Sequence, residues 1–396
     1  MKKIGFVVPW HGQNIPGGAE MALRGVTEHL HKAGISIEIL TTCVREFTAD
    51  WNENFHKPGL TEENGIPVRR FKVRKRNVGA IHRVNIKLMN DEVLTLAEEE
   101  NICREMINSP DMYKYIEQHK NEYHCFVGIP YMFGPVYQMC KICPEKAVLI
   151  PCFHEEAYIY MDVFKKAFSS IQGMIFNAEP EKVLAERVYH TAGQKLITPG
   201  LGLDTGLVYD EERFRAKYDI WEPFILYAGR KDVGKNIYTL IRYFAEYKKR
   251  NKNNLKLVLI GGGSVKLPKS VHGDVYDLGF VPIQDKYDAY GAALTLCQPS
   301  KHESFSFVIM ESWLCKRPVL VHKGCDVTKH FAVTSQGGFY FDNYFEFEGQ
   351  VNYYIEHPDT ASKMGENGRK FVLENFDWDI VTRKYIDFFE GLYSNE

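Results

Sequence analysis

The sequence predicts an α/β protein made of two parallel-sheet units, and three observations carry that prediction. Apolar runs of strand length alternate with amphipathic helical segments from the first residues onward. The alternation stops in a glycine-rich stretch around Pro199 to Tyr218 and then resumes. The chain has 396 residues, enough for two domains of ordinary size, each with its own core.

The first unit opens with a strand from Lys3 to Pro9, a loop from Trp10 to Gly18 and an amphipathic helix from about Ala19 to Lys32. Gly34 stops that helix, and Ile35 to Thr42 is the next strand. Strand, helix and strand in this order imply a parallel pair. The Gly17-Gly18 pair at the helix start lets a ligand approach the backbone and meet free N–H groups, with a plain turn at Pro16-Gly17-Gly18 as the alternative. Helical spacing follows through Asp91 to Ile107 and Asp111 to His119. Strand-like runs then come at Cys125 to Val127, Ala147 to Ile150, Met174 to Phe176 and Lys195 to Thr198, with helical segments such as Pro180 to Val188 between them.

The second unit repeats the pattern. Strands are expected at Phe224 to Ala228, Leu255 to Ile260, Val275 to Leu278, Leu294 to Cys297 and Val319 to Val321. Helices are expected from about Asn236, Ile283, Ser304 and Asp342, then over Thr360 to Glu374 and Trp378 to Tyr393. With two separate α/β units, the cleft between them is the default ligand site.

Composition narrows the function. The chain is 45% hydrophobic and 25% charged with a net charge of −2, so nothing global points to nucleic acid. No stretch approaches the roughly 18 apolar residues of a membrane span, and the apolar run in Met1 to Trp10 reads as a strand, not a signal segment. Nine scattered cysteines without an export signal indicate reduced thiols in the cytoplasm. Cys140 and Cys143 form a lone C-x-x-C without the second pair a zinc site needs, so they read as ordinary buried thiols. One segment departs from neutrality: Arg69, Arg70, Lys72, Arg74, Lys75, Arg76, Arg83 and Lys87 occur with no acidic residue from Arg69 to Asn90. That excess suits anionic headgroups at the inner membrane face or an acceptor phosphate, with a solvated strand and loop as the alternative.

Chemistry concentrates in Gln298 to Leu314, where a strand, a short polar loop and a helix succeed one another. It carries Glu303 and Glu311, eight residues apart. If helical throughout, their alpha-carbons lie ~12 Å apart, beyond the roughly 5 to 9.5 Å of a hydrolytic carboxylate pair. That span suits two contacts on one extended ligand. Gly229 to Asn236 is one residue type short of a phosphate-binding P-loop, because Asn236 stands where Ser or Thr should hold magnesium; Arg230 and Lys235 still suit a diphosphate. His154 follows a strand, at a carboxyl end where parallel sheets bind ligands. Gly261-Gly262-Gly263 and Gly200-x-Gly202 lack the context of a dinucleotide fingerprint, and Asp377 of Asp377-Trp378-Asp379 reads as an N-cap before a metal ligand.

Four places together resemble the retaining family 4 glycosyltransferases: Pro16-Gly17-Gly18-Ala19-Glu20, the turn from Gly229-Arg230 to Lys235, Gly261-Gly262-Gly263 after a strand, and Pro299-Ser300-x-x-Glu303-x-Phe305 with Glu311. The resemblance implies the GT-B architecture, two Rossmann-like parallel-sheet domains facing each other across a cleft. It implies an N-terminal acceptor domain over 1–200, a nucleotide-sugar donor domain over 201–376, and a C-terminal helix over 377–396 crossing back to the N-terminal domain. By the same resemblance Arg230 and Lys235 meet the donor diphosphate, Glu303 and His154 lie by the transferred sugar, and Glu311 binds the ribose. Gly17, Gly18, Ser304, Phe305, Ser306 and Phe307 join in donor binding. Ser306 departs from the glycine usual there, and Glu155 from the aspartate that often follows the histidine.

The implied activity is metal-independent, retaining transfer of a sugar from a nucleotide-diphosphate sugar to a glycan or lipid-linked acceptor, as in polysaccharide or glycoconjugate synthesis. No cofactor, metal or nucleic acid is expected, and the setting is cytoplasmic with peripheral contact to the inner membrane face through Arg69 to Lys87. An epimerase or phosphorylase of the same fold is the alternative, followed by a non-catalytic carbohydrate-binding module.

Overall fold

A computed structural model describes every residue except Asn14, Pro16, Asp91, Asn395 and Glu396. Pro16 of the N-terminal motif and Asp91, the expected start of a helix, therefore lie outside the described residues. Two compact units form, one of Met1–Gly202 with Trp378–Glu396 and one of Leu203–Asp377.

The first unit holds an eight-stranded sheet: β1 (Lys3–Val7), β2 (Ile37–Thr42), β3 (Gly59–Glu63), β4 (Ile66–Phe71), β5 (Tyr123–Gly128), β6 (Ala147–Leu149), β7 (Gly173–Ile175) and β8 (Lys195–Ile197). Its order is β3-β4-β2-β1-β5-β6-β7-β8, parallel except where β3 pairs antiparallel with β4. Central strands such as β2 are buried at every residue because helices cover both faces of the sheet. The hairpin β3–β4 is absent from the sequence reading, although Asn64-Gly65 at its tip is a strong local signal: both residues take positive φ, 52° and 79°.

The second unit holds six parallel strands: β9 (Phe224–Ala228), β10 (Lys256–Ile260), β11 (Val275–Gly279), β12 (Thr295–Gln298), β13 (Val319–His322) and β14 (Gly338–Phe341), in the order β11-β10-β9-β12-β13-β14. From β9 the chain winds outward to β11, then returns to the other side of β9 with β12. Strand order therefore reverses between β9 and β12. In the first unit it reverses between β1 and β5 in the same way. Such switch points leave a crevice at the carboxyl ends of the strands, where open parallel sheets bind ligands.

Helices differ from expectation in four places. The helix expected through Asp91 to Ile107 runs over Leu96–Glu105, where Thr95 with Glu98 closes a capping box, and a separate helix with no counterpart among the expected elements, Val78–Met89, precedes it. Within the stretch expected to be aperiodic, Glu211–Tyr218 is helical, with Asp210 accepting from the Arg213 N–H; only Phe214 is buried on it, which is why it shows no apolar stripe. The helix expected from Ser304 begins at Phe307, after a loop, so the helical rise does not apply over Glu303 to Ser306. The helix Asp326–Ser335 and β14 after it have no counterpart among the expected elements.

The last helix, Trp378–Gly391, packs on the first unit and buries Val381, Tyr385, Phe388 and Phe389 there. The Trp378 indole stacks on His29 at 4.0 Å and fills space that a side chain at Gly25 or Gly202 would take, since a Cβ there would come within 2.3 and 2.1 Å of it. Among the described residues no helix is long and apolar enough to cross a membrane.

Candidate active site

The reversal point of the second sheet joins the two motifs that the sequence kept apart. After β9 the chain runs through Gly229, Arg230 and Lys231 to Lys235, and after β12 through Pro299 to Ser306. Lys235 Nζ lies 2.6 Å from Glu303 Oε1, and Asn236 Nδ2 donates to the Pro299 carbonyl at 2.9 Å. The Asp232 carboxylate accepts from the Lys235 N–H at 2.9 Å, closing the turn. Asn236 takes the left-handed conformation, φ 56°, at the start of the helix Ile237–Arg250, a role asparagine fills well. Its amide thus ties one loop to the other in place of the hydroxyl a P-loop would carry.

Backbone packs on backbone behind this loop. A Cβ at Gly261 would stand 2.1 Å from the Gly229 carbonyl oxygen, and the Lys231 N–H donates to the Gly262 carbonyl at 2.7 Å. Lys231 is itself buried and pairs with Asp277, anchoring the loop to β11. Arg230 is left projecting, 62% exposed, with Asp232 3.3 Å from its Nε. Held backbone and a projecting guanidinium suit a residue that meets a ligand anion.

The Glu303 to Glu311 segment serves two purposes. Ser306 sits at φ 82°, a conformation that favours glycine, and its buried Oγ has no partner. The Phe305 side chain is core: it packs edge-on to Phe307, Phe331 and Phe376, which leaves its backbone as the part that can face a donor. Ser304 and Phe307 are partly exposed beside it. Glu311, on the helix Phe307–Leu314, is buried, with Lys286 Nζ 2.8 Å from one oxygen and the Tyr290 hydroxyl 2.8 Å from the other. A carboxylate has about four acceptor positions, so each oxygen can take one more donor. Lys286 and Tyr290, both on the helix Ile283–Ala292, escaped the sequence reading because their spacing is ordinary for a helix face.

In the first unit, Gly17 and Gly18 lie after β1, and His154 after β6. Gly17 takes φ 146°, and a Cβ there would overlap Glu20 Oε2 at 2.0 Å, while Gly18 begins the helix Gly18–Lys32 with open space around it. The Trp10 indole N–H donates to Glu20 Oε1 at 2.7 Å, and Arg24 holds the Gly12 and Ile15 carbonyls, so the loop is braced from within. His154 Nε2 lies 3.3 Å from Glu156 Oε2. Behind it Glu181 is fully buried and accepts from the Phe153 N–H at 2.7 Å and the Asn177 N–H at 2.6 Å; burial pushes its carboxyl up to about 8, against those two donors.

Other candidates resolve differently. Half of the basic segment is neutralised by acids from elsewhere in the chain: Arg69 pairs with Glu38, buried Arg70 with Glu63, Arg74 with Glu105 and Lys87 with Glu98. The excess left at the surface is therefore smaller than the stretch suggests and includes exposed Lys72, Lys75 and Arg83. Burial pushes the Cys140 and Cys143 thiols well up, as it does for an inert core cysteine. Asp377 accepts from the Thr205 hydroxyl at 2.7 Å. Among the described residues no cluster of His, Cys, Asp and Glu could hold a metal. An open depression of about 480 Å³ on the first unit, lined by Asp50, Asn52, Glu53, Lys75 and Arg76, contains none of the candidate residues.

Comparison with known proteins finds relatives of part of this chain and of its fold. Residues 209–371 match the family described as Glycosyl transferases group 1. An uncharacterized glycosyltransferase of Methanocaldococcus jannaschii is 26% identical over 243 residues, 54% of this chain, and the match spans 56% of that protein. Sucrose-phosphate synthase from Thermosynechococcus elongatus superposes with a TM-score of 0.73 at 17% identity, covering 99% of each chain. Anabaena HepE in complex with UDP gives 0.71 at 16% identity, covering 99% of this chain and 100% of that one; its complex with UDP-glucose gives 0.69. At these identities the likeness shows the fold, which is GT-B.

Proposed function

We propose that this protein, whose residues 209–371 match the glycosyl transferases group 1 family, is a retaining, metal-independent glycosyltransferase. It moves a sugar from a nucleoside-diphosphate sugar to a hydroxyl of a glycan or lipid-linked acceptor. The observation that carries the reading is the Lys235–Glu303 pair at the reversal point between β9 and β12. It puts a cation for a diphosphate and a carboxylate for a sugar side by side, and the UDP and UDP-glucose complexes of HepE support a donor of that class.

The chemistry follows from the charges. When the anomeric carbon–oxygen bond breaks, its electron pair stays on the bridging phosphate oxygen. Arg230, Lys235 and the helix N–H groups beginning near Phe307 offset that charge. One preorganised donor supplies roughly 3 to 4 kcal/mol, whereas enzymatic acceleration needs on the order of 8 or more, so several act together. Glu311 takes the ribose hydroxyls. Attack of the acceptor hydroxyl from the face the diphosphate leaves retains configuration, its proton passing to the departing oxygen. No step calls on a metal, so chelation should leave turnover unchanged.

For the acceptor, exposed Lys72, Lys75 and Arg83 remain of the basic segment. They suit the phosphate of a lipid-linked acceptor or anionic headgroups at a cytoplasmic membrane face; if charge reversal of all three leaves vesicle binding intact, that part is wrong. The central test is a thermal-shift panel of nucleoside diphosphates and nucleotide sugars, in which one donor should raise the melting temperature further with each increase in its concentration. A panel with no stabilising member overturns the proposed donor class.

A further inference from the structure

Two carboxylates follow His154, and the structure treats them oppositely. Glu155, directly after the histidine, turns to the surface, where it pairs with Arg187 and accepts from the Tyr160 hydroxyl. Glu156 turns inward. One of its oxygens lies 3.3 Å from His154 Nε2, and the other accepts from the Tyr131 hydroxyl at 2.8 Å. We propose that Glu156, fixed by Tyr131, is the positioning residue for His154, accepting its Nε2–H and serving as counter-ion to its protonated form. This rests on the reading of His154 as the group beside the transferred sugar.

The surroundings leave Glu156 little choice of geometry. Tyr131 is 1% exposed, its ring enclosed by Phe153, Phe164 and Phe168. Burial and the nearby Glu156 charge hold its hydroxyl protonated, so toward Glu156 it acts as a donor. The loop backbone is pinned as well: the Tyr131 N–H donates to the Pro151 carbonyl at 3.2 Å, and the Phe153 N–H to Glu181. Cys152 between them takes φ 60°, an uncommon conformation for a non-glycine residue, which the pinned neighbours maintain. With the backbone fixed, the Glu156 carboxylate 3.3 Å from Nε2 favours one rotamer and tautomer of the imidazole. A proton held on Nε2 makes Nδ1 the acceptor nitrogen of the neutral ring.

Charged and titratable groups that face this loop include Glu156 beside the ring, Glu181 from the helix Glu179–Val188, which feels the His154 charge, Tyr131 from the loop after β5, which holds Glu156, and Arg187, which Glu155 occupies. Of these carboxylates, Glu156 is the one held 3.3 Å from the ring.

The test is a titration of the ring itself. In protein labelled with ¹⁵N-histidine, the His154 signals, assigned by their loss in His154→Gln, report tautomer and pKa without any substrate. The wild type should show the Nε2–H form. Glu156→Gln should lower the His154 pKa by about one unit, a tenfold shift in the protonation equilibrium. Tyr131→Phe should shift it in the same direction by less, and Glu155→Gln should leave it unchanged. In transfer assays Glu156→Gln should lower kcat about tenfold or more with the donor KM within about twofold. An unchanged His154 titration in both Glu156→Gln and Tyr131→Phe, or an unchanged kcat in Glu156→Gln, overturns the inference. Full transfer activity of His154→Gln instead overturns the reading on which it rests, whatever the titration shows.

Discussion

Lys235 and Glu303 are 68 residues apart in sequence and form an ion pair 2.6 Å long at the reversal point of the second sheet. The pair is partly buried, 25% and 11% exposed, so neither charge is fully screened by water. A cation held against a carboxylate is prepositioned, but part of its field is spent on that partner. The consequence is a split between binding and turnover. Glu303→Gln should leave Lys235 to the phosphates, so free nucleoside diphosphate binds as tightly as to the wild type or tighter. The same change should lower transfer by on the order of 100-fold, because the sugar loses its carboxylate. Calorimetry with the diphosphate beside steady-state kinetics checks both; weakened diphosphate binding would place Glu303 on the phosphates.

Arg230 gives a cleaner prediction because the fold does not depend on its side chain. Its guanidinium is 62% exposed and its backbone is held through neighbouring groups. Arg230→Ala should therefore unfold at the same temperature as the wild type while losing roughly 100-fold or more in kcat. Near-normal transfer by this variant would remove Arg230 from leaving-group stabilisation.

Ser306 opposes stability to binding. A left-handed conformation costs a non-glycine residue roughly 1 to 2 kcal/mol, and the buried, unpartnered hydroxyl adds to that cost. Ser306→Gly relieves both, offset in part by the greater freedom of glycine in the unfolded chain. The second unit should melt about 2 to 4 °C higher for each kcal/mol gained. If Oγ bonds the donor, the same variant should bind it several-fold more weakly. Higher melting temperature with unchanged donor affinity would mean that the serine contributes strain alone.

Glu181 makes the first unit sensitive to pH in a definite direction. Burial raises its carboxyl to about 8 from an ordinary 4.5. Between these values the native state keeps a proton that the unfolded chain has released, so stability falls as pH rises from about 4.5 to 8. One proton held by the native state alone costs about 1.4 kcal/mol for each pH unit, so the loss across the window is on the order of 5 kcal/mol. Buried His11 is held below its usual pKa by desolvation and gives the opposite slope at lower pH, so the informative quantity is a difference. Urea denaturation at pH 5, 6, 7 and 8 should show wild-type stability declining relative to Glu181→Gln; parallel curves would mean that the two backbone donors keep Glu181 ionised throughout.

Much of the fold was legible because parallel strands buried on both faces leave continuous apolar runs. Phe224–Ala228 was found to the residue, and the strands around Ile4, Val127 and Val258 to within a few. The helix Glu211–Tyr218 was not legible, since with Phe214 as its one buried residue it carries almost no periodic signal. The hairpin at Asn64-Gly65 was legible and passed over. In the basic segment the pairing of Arg69, Arg70, Arg74 and Lys87 was not legible, because charge along a chain says nothing of the acids that other strands and helices bring to it.

The sequence by itself determined two α/β units, the glycines where backbone meets backbone at Gly229 and Gly261, and the residue types that suit a diphosphate and a sugar. Periodicity and glycine are local, so one strand of text suffices to record them. The tertiary structure alone decided which of these residues meet. It joined Lys235 to Glu303, set Lys286 and Tyr290 on Glu311, buried the side chain of Phe305, and chose Glu156 over Glu155 as the partner of His154. Those choices depend on sheet order and on the turn of single loops, where residues far apart in sequence come within hydrogen-bonding distance.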